Sequence, residues 1–463
     1  MGIPSYFYQI IKRHKHIVSP YTITKIDNLY FDSNSIIYDA IQTLEKGPKH
    51  TYDDQIISYV CNKLLEYIKM IQPSRVFIAF DGVPPMAKMK QQRERRYKSW
   101  LVGDWLKEQK EWDTVQITPG TPFMKRLDVE LQQFFEPYKH KYTEFHLSTS
   151  QDAGEGEHKI FDFIRTNTDH ASQTTMIYGL DSDLIMLSLN HLPYCNQIRL
   201  LREAQAFMIK DKNLHILDIN ALSTCVQESI GKNKLYDYIF ITLLLGNDFM
   251  PHFPAINLRT TGMDTLLNTY VECIQPDCVL FDGNTIYWDQ VRLFIDALSK
   301  KEESLFIQEH ETRNKKMVKS ATYEERINNL PMLKREKEFI ICPTKPEWQS
   351  RYYSTLLSGE SVSDICINYV QMLEWNIQYY TKGCSNWTLY YKYSYPPLLE
   401  DLVNYIPDHQ ELPTDLTIKT PNELLEYVFP NAHLHYLPFA CAKKPEPSVV
   451  WTYCTYMWEA HVK

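Results

Sequence analysis

Short apolar segments of β-strand composition alternate with helical patterns over the first half of the chain, and this alternation constrains the fold most. Residues 53–71, between the first two strands, carry an apolar stripe typical of an amphipathic helix. Strands that alternate with such helices form mostly parallel sheets with helices on both faces, so we predict an α/β fold. The stripe consists of Ile56, Val60, Leu64 and Ile68, and the strands are predicted at residues 28–31, 76–80 and 174–178.

Each predicted strand ends at, or within a few residues of, an aspartate. Asp32 follows the first strand, Asp81 follows the second, and Asp181 and Asp183 follow the third. In open α/β sheets, ligands bind beyond the carboxyl ends of the strands, so we expect these side chains to meet at one edge of the sheet. A single aspartate after a strand is more often a solvated loop residue. The repetition at three strand ends carries the prediction.

Two further carboxylates, Glu155 and Glu157, stand in the stretch GEGEHKI, each directly after a glycine and just before a helical pattern. The helix macrodipole alone favours one acidic residue in a first turn. It does not explain the glycines, which permit close backbone approach and weaken a helix. Asp248 follows the apolar run LLLGN. We predict that seven acids share one cleft: Asp32, Asp81, Glu155, Glu157, Asp181, Asp183 and Asp248.

Seven carboxylates in one cleft repel one another by several kcal/mol at a low effective dielectric constant unless cations neutralise them. Hard oxygen ligands without a matching set of histidines or cysteines favour Mg²⁺ or Mn²⁺ over Zn²⁺. Two such ions about 4 Å apart can hold the attacking and leaving oxygens of a phosphodiester. The predicted cofactor is therefore a pair of Mg²⁺ or Mn²⁺ ions.

A basic segment begins a few residues after Asp81. Pro84 and Pro85 precede it, and proline is favoured in the first turn of a helix. Four polar side chains follow at i, i+4, i+7 and i+8, which places them on one helix face. Alone, such a face would simply be solvated, but beside a metal site it can hold a terminal phosphate through charge-assisted hydrogen bonds. The predicted phosphate-binding residues are Lys88, Gln92, Arg95 and Arg96.

Aromatic side chains are candidates for stacking on nucleobases, at about 1–3 kcal/mol for each base. Tyr38 lies shortly after the first acidic strand end, and Trp375 and Trp387 lie in a C-terminal block rich in Tyr and Trp. Taken singly, each is more commonly a core residue. Stacking is therefore a hypothesis that competes with packing.

Charge and cysteine content limit the class of protein. A formal net charge of −8 confines any nucleic-acid contact to a local basic patch. Ten cysteines without a CxxC pair indicate reduced, mostly structural thiols. We find no secretory signal and no apolar run near the roughly 20 residues that span a bilayer. We expect a soluble protein of the cytoplasm, without membrane contact and with the nucleus as the alternative compartment.

Composition divides the chain into three predicted regions. Residues 1–270 carry the acidic and basic motifs, and we predict one domain that holds the metal site and the phosphate-binding helix. Residues 271–344 are charged and weakly periodic, which indicates a connector or a helical excursion. Residues 345–463 are rich in Tyr, Trp and Pro, and we predict a smaller, mainly helical region that completes a substrate channel.

In chain order, the motifs resemble the signatures of the XRN-type 5′→3′ exoribonucleases. The resemblance implies a PIN-like core related to flap endonucleases, with the seven acids as metal ligands and the four residues of the basic helix as a 5′-monophosphate pocket. It also implies base stacking at Tyr38, where the family has histidine, and at Trp387. The matching segments are MGIPSYF, FDSNSII, FIAFDGVPPMAKMKQQRERR, ITPGTPFM, GEGEHKI, YGLDSDLIML, LLLGNDFMPHFP and YVQMLEWNIQYYTKGCSNWTLYYKYSYPP.

The resemblance implies a hydrolase that removes nucleoside 5′-monophosphates from single-stranded, 5′-monophosphorylated RNA, in RNA decay. Cellular members are usually far longer, which leaves a viral origin open. Two alternatives remain. A flap endonuclease acting on DNA normally carries a Gly-x-Gly pattern after its last catalytic aspartate, and PHFPAINLRTTGMDTLL lacks it. An inert RNA-binding protein would gain nothing from clustered carboxylates facing phosphates.

Overall fold

The computed structural model describes residues 3, 5–22, 24–45, 49–107, 112–203 and 214–444. In these residues, seven strands form one mixed sheet. The strands are β1 (Val18–Pro20), β2 (Asn28–Asp32), β3 (Arg75–Ala79), β4 (Glu144–Ser148), β5 (Thr174–Tyr178), β6 (Gln197–Glu203) and β7 (Leu214–Asp218).

The sheet is mostly parallel, as predicted. Its strand order is β1-β7-β6-β5-β2-β3-β4, in which β6 to β4 run parallel and β7 and β1 add antiparallel pairs at one edge. The three predicted strands correspond to β2, β3 and β5, which are direct neighbours. From β2 the chain continues to β3 on one side and later returns as β5 on the other. This change of direction opens a crevice at the carboxyl end of β2, where such sheets bind ligands.

Helices cover both faces of the sheet and supply most of the regular secondary structure in the second half of the described chain. Those of the first half are α1 (Tyr6–Arg13), α2 (Asn34–Thr43), α3 (Lys49–Ile71), α4 (Met86–Trp105), α5 (Pro122–Phe135), α6 (Gly156–Thr166), α7 (Asp183–Asn190), α8 (Ile219–Ile230) and α9 (Leu235–Leu243). Those of the second half are α10 (Gly262–Cys273), α11 (Trp288–Lys315), α12 (Tyr323–Asn328), α13 (Leu330–Leu333), α14 (Glu336–Ile341), α15 (Trp348–Leu356), α16 (Val362–Thr381), α17 (Leu399–Leu402) and α18 (Pro421–Val428).

The alternation of side chains along β2 separates two apolar cores. Leu29 and Phe31 pack with α2, α3 and α5 on one face of the sheet, whereas Tyr30 packs with α6, α7 and the helices of the second half on the other. The predicted helix at 53–71 lies inside α3, and its four stripe residues are fully buried in the first of these cores. Both faces are therefore covered, as the sequence pattern predicts.

The charged segment after residue 271 contains α11, a helix of 28 residues. Phe294, Ile295 and Leu298 of this helix are buried in the core that also contains Tyr30. Buried Glu302 accepts hydrogen bonds from the backbone N–H groups of Leu399 and Glu400, at the first turn of α17. Helix α11 thus joins the C-terminal helices to the sheet. None of the helices in the described part of the chain is long and apolar enough to cross a membrane.

Candidate metal and phosphate site

The acidic side chains meet at the carboxyl edge of the sheet. Asp32 is the last residue of β2, Asp81 follows β3 by two residues, and Asp181 follows β5 by three. Oxygens of Asp32, Asp81 and Glu157 lie within 4.8 Å of one another. A second group within the same distance consists of Glu155, Glu157 and His158, so Glu157 belongs to both groups.

The two glycines of GEGEHKI have distinct roles. Gly154 has φ +102°, a left-handed conformation that disfavours other residues. Gly156 begins α6, and a Cβ atom there would lie 2.8 Å from Asp32 Oδ1. Its backbone N–H donates to Asp81 Oδ1 at 2.7 Å. The glycines therefore let the N-terminus of α6 approach the strand-end aspartates closely.

Asn34 orients Asp81 through a reciprocal pair of hydrogen bonds. Its Nδ2 donates to Asp81 Oδ2 at 2.7 Å, and its Oδ1 accepts from the Asp81 backbone N–H at 3.1 Å. Asn34 is not among the site residues predicted from sequence. Its position could have indicated its role, because it follows Asp32 by two residues and begins α2.

Lys88 is buried among the carboxylates. Its Nζ lies 2.5 Å from Glu155 Oε2 and 2.6 Å from Asp248 Oδ2, and Gln91 Nε2 donates to Asp248 Oδ1 at 3.2 Å. Burial lowers the pKa of Lys88, but Asp248 and Glu155 outweigh that effect and raise it well above its ordinary value. Burial raises the pKa of Asp248, whereas Lys88 lowers it, with a net lowering. The ammonium group therefore neutralises part of the acidic cluster.

One internal ammonium does not neutralise all the acids. Burial, followed by the charges of Asp81 and Asp181, raises the pKa of Asp32 well above its ordinary value. Burial and the neighbouring charges of Glu155 and Asp32 likewise raise the pKa of Glu157 well above its ordinary value. These shifts mean that fully ionised carboxylates need further positive charge nearby. A convergent set of carboxylate oxygens is the donor set that Mg²⁺ and Mn²⁺ prefer, so the residues fit divalent cations.

Buried Arg202 holds the turn that carries Asp181 and leads to Asp183. Arg202 is buried against the ring of Phe7 and donates to the backbone carbonyls of Leu180 and Asp181, which fixes the turn after β5. Burial raises the pKa of Asp183 to about 7.

A cavity of about 480 Å³ connects the acids to the basic helix. The predicted basic helix is α4, which begins directly after Pro85, and its four predicted phosphate-binding residues all line the cavity. Arg96 donates to Thr118 Oγ1 at 2.7 Å, and burial lowers its pKa to about 10, so it stays charged at neutral pH. The predicted acids in the lining are Asp32, Asp81, Glu155, Glu157 and Asp181.

The candidate stacking residues differ in their surroundings. Tyr38, on α2, is 39% exposed and lines the cavity. Trp375 is fully buried, and its indole Nε1 donates to the backbone carbonyl of Asn386 at 2.7 Å. Trp387 is half-buried and is not one of the residues that line this cavity in the described part of the chain.

The C-terminal region packs against α4 and contributes His433 to the cavity lining. Leu424, Leu425 and Val428 of α18 form an apolar cluster with Met89 of α4. Beyond this helix, His433 Nε2 lies 3.1 Å from Asp113 Oδ2, and both residues line the cavity. Neither Asp113 nor His433 is predicted from sequence, because no local pattern links residues so far apart.

Family comparisons cover nearly the whole chain. The model described as "XRN 5'-3' exonuclease N-terminus" matches residues 1–204, and the model described as "Xrn1 helical domain" matches residues 232–347 and 344–454. The chain is 29% identical to human 5′-3′ exoribonuclease 1 over an alignment 538 positions long. The alignment covers 95% of this chain and 31% of that protein. It is 24% identical to 5′-3′ exoribonuclease 1 of Saccharomyces cerevisiae, over 95% of this chain and 40% of that protein.

The chain thus spans about a third of the human relative's length. Among solved structures, the catalytic core of Rad2 in complex with a DNA substrate aligns at 12% identity with a TM-score of 0.37. That alignment covers 87% of this chain and 99% of the other.

Proposed function

Because the chain belongs to the XRN 5′-3′ exonuclease family, we propose that it is a metal-dependent 5′→3′ exoribonuclease. Its substrate is single-stranded RNA with a 5′-monophosphate, and its products are nucleoside 5′-monophosphates. One observation carries the proposal beyond family membership. A single cavity is lined both by carboxylates and by the cationic face of α4.

The cationic face binds the 5′ end of the RNA. Arg95 and Arg96 carry fixed positive charges with planar donor groups that match phosphate oxygens, and Gln92 adds an uncharged donor. Gln92 is already aligned with Arg96, whose Nη1 contacts both the backbone and the side-chain oxygen of Gln92 at 3.2 and 3.5 Å. Tyr38 lines the same cavity and stacks on the terminal base. Binding of the end before cleavage sets the 5′→3′ direction.

The carboxylates bind divalent cations, and we propose two. Asp32, Asp81 and Glu157 would hold one. The remaining acids, Glu155, Asp181, Asp183 and Asp248, would contribute to the other. Mg²⁺ or Mn²⁺ at such a site supplies a Lewis acid for phosphodiester hydrolysis. Lys88 holds its ammonium group against Glu155 and Asp248. It therefore joins helix α4 to the acidic cluster.

Unpaired cysteines support an intracellular site of action. All nine cysteines of the described part of the chain are free, which agrees with a reducing compartment. We propose RNA decay in the cytoplasm as the setting.

The test is digestion of one single-stranded RNA that carries a 5′-monophosphate and is labelled at either end. With Mg²⁺, the 5′ label should appear at once as a mononucleotide, and the 3′ label should stay in long fragments until late. The double variant Asp181→Ala, Asp183→Ala should be inactive while it melts no earlier than wild type, because removing crowded carboxylates relieves repulsion. Wild-type rates in this variant at saturating Mg²⁺ would refute the assignment of the acids.

Two outcomes would favour other functions. Cleavage of a DNA flap with RNA left intact would indicate a flap endonuclease. RNA binding without hydrolysis in either Mg²⁺ or Mn²⁺ would indicate an inert RNA-binding protein.

A further inference from the structure

Two consecutive tyrosines near the end of α16 contact two different acids of the site. Tyr379 Oη donates to Glu155 Oε1 at 2.8 Å, and Tyr380 Oη donates to Asp183 Oδ1 at 3.2 Å. Both tyrosines are at most 2% exposed. They are separated from their acids by 224 and 197 residues of sequence. These contacts therefore join the second half of the chain to the acidic cluster.

The positions of the two acids explain how neighbouring residues can contact both. Side chains of consecutive residues on an α-helix point about 100° apart. Glu155 directly precedes α6, and Asp183 is the first residue of α7. The end of α16 consequently lies between the N-terminal turns of α6 and α7, and one tyrosine faces each turn.

The ring of Tyr379 is held on several sides. It stacks on the imidazole of His158, with ring centroids 3.7 Å apart and an interplanar angle of 20°. It also stacks on Trp375 at 4.8 Å and 23°, and the ring of Phe249 contacts it edge-on at 5.5 Å and 81°. A ring packed in this way fixes the position of its hydroxyl, so the direction of the hydrogen bond to Glu155 is set by the core.

Each hydroxyl occupies one oxygen of its carboxylate. On Glu155, Tyr379 contacts Oε1 while Lys88 Nζ lies 2.5 Å from Oε2. The oxygen opposite the tyrosine is therefore the one that faces positive charge. On Asp183, Tyr380 contacts Oδ1 in the same manner.

We propose that Tyr379 and Tyr380 are positioning residues of the metal site. Their hydroxyls fix the orientation of Glu155 and Asp183 and leave the second oxygen of each carboxylate to interact with positive charge. On Glu155 that oxygen pairs with Lys88, and a bound divalent cation would be held by these oriented carboxylates. Donors of this kind orient metal ligands and typically change metal affinity or activity by about 10- to 100-fold when removed. Helix α16 is thereby a functional part of the metal site. The proposal rests on the proposed function only in requiring that the acids bind a divalent cation.

The experiment compares three tyrosine-to-phenylalanine variants of α16 in the full chain. Tyr379→Phe and Tyr380→Phe each remove one hydroxyl and keep the ring. Tyr369→Phe is the matched control, because Tyr369 is fully buried on the same helix and its hydroxyl contacts the backbone carbonyl of Pro251 at 3.5 Å. Mn²⁺ binding is measured by titration calorimetry without RNA, together with melting temperatures in chelator and in Mn²⁺.

We expect about tenfold weaker Mn²⁺ binding in Tyr379→Phe and Tyr380→Phe and wild-type binding in Tyr369→Phe. Excess Mn²⁺ should restore the rise in melting temperature to both affected variants. Wild-type Mn²⁺ affinity in both would overturn the proposal, as would an equal loss in the control. A lower melting temperature in chelator with unchanged affinity would show that the hydroxyls serve packing alone.

The two proposals fail separately. If the wild-type protein binds Mn²⁺ but does not degrade RNA, the proposed function fails while the affinity comparison still tests the tyrosines. If RNA is degraded and the variants bind Mn²⁺ normally, only the positioning proposal fails.

Discussion

At the scale of single residues, the site depends on groups that restrain a few carboxylates. Asp81 is fixed by the Asn34 amide and the Gly156 N–H, and Asp248 by Lys88 and Gln91. Each donor contacts a carboxylate that is at least partly shielded from water, where an unpaired oxygen would be costly. The acids are therefore oriented before any substrate arrives.

Tyr38 offers a test at this scale, since it is partly exposed inside the cavity. If its ring stacks on the terminal base, Tyr38→Phe should leave the rate on single-stranded RNA nearly unchanged. Tyr38→Ala should weaken RNA binding by about 1–3 kcal/mol, with little change in melting temperature. Binding is measured with RNA bearing a 5′-monophosphate. A Tyr38→Ala protein that melts much earlier but degrades RNA normally below its melting point would identify a packing residue.

The convergence of the strand-end aspartates can be predicted from sequence, because neighbouring parallel strands end at the same edge of the sheet. The donors that orient these acids could not be predicted in the same way. Tyr379 and Tyr380 reach Glu155 and Asp183 only after α16 has packed between α6 and α7. The helix-face pattern predicts Lys88 as a phosphate ligand, whereas its Nζ contacts Glu155 and Asp248 in the structure. These contacts depend on tertiary packing, which no local sequence pattern contains.

At the scale of elements, α4 presents one helix face to the cavity and another to the C-terminal segment. Its polar face carries Gln92 and Arg95, whereas Met89 packs against α18 and Tyr97 Oη contacts the Phe429 carbonyl at 3.5 Å. The helix and its start at Pro85 follow from local sequence. Its second face could not be inferred, since the sequence gives no sign that α18 covers it.

The role of the α4 face predicts a difference between two charge-neutralising variants. Arg95 lines the cavity, whereas Lys98 is exposed on the same helix outside the lining. Arg95→Gln should weaken binding of 5′-monophosphorylated RNA by about 1.5–3 kcal/mol, the range for hydrogen bonds to charged groups. Lys98→Gln should have little effect. Binding is measured in the inactive Asp181→Ala, Asp183→Ala background, with 5′-hydroxyl RNA for comparison. Equal losses in both variants, or on both RNAs, would argue against a terminal-phosphate pocket.

Helix α11 shows why charged segments are hard to interpret from sequence. Residues such as Glu302 and Arg313 are buried in it, so its apolar pattern is interrupted by charge. Glu302 accepts backbone N–H groups at the start of α17, and Arg313 pairs with buried Glu338. A pattern based on apolar spacing cannot distinguish these partnered charges from solvated ones.

Burial raises the pKa of Glu302 to about 8, which predicts a pH-dependent contribution to stability. The unfolded chain has an ordinary glutamate pKa of about 4.3, so the folded state binds the proton more tightly. The contribution is complete below that pH and is lost as the pH rises towards about 8. Glu302→Gln keeps an acceptor and cannot ionise. Its melting temperature relative to wild type should therefore rise between pH 5 and pH 8, and parallel melting curves would contradict the assignment.

At the scale of the whole molecule, the two halves of the chain share one core. A single apolar cluster contains residues from Ile3 to Ile406, including β2, α7, α11 and α16. The second half supplies Tyr379 and Tyr380 to the acids and His433 to the cavity wall. With a formal net charge of −8, the chain has no broadly basic surface, so the proposed RNA contact is confined to a local cationic pocket.

The most direct test of this account compares one single-stranded RNA with either a 5′-monophosphate or a 5′-triphosphate, at equal concentration in Mg²⁺. Asp113, paired with His433, lines the same cavity as Arg96, so additional phosphates would be held in a cavity that contains a further carboxylate. A penalty of about 1.4 kcal/mol on binding of the triphosphate end already corresponds to a tenfold loss of affinity. The account predicts at least about tenfold faster release of nucleotides from the monophosphorylated RNA. Equal rates on the two RNAs would contradict it.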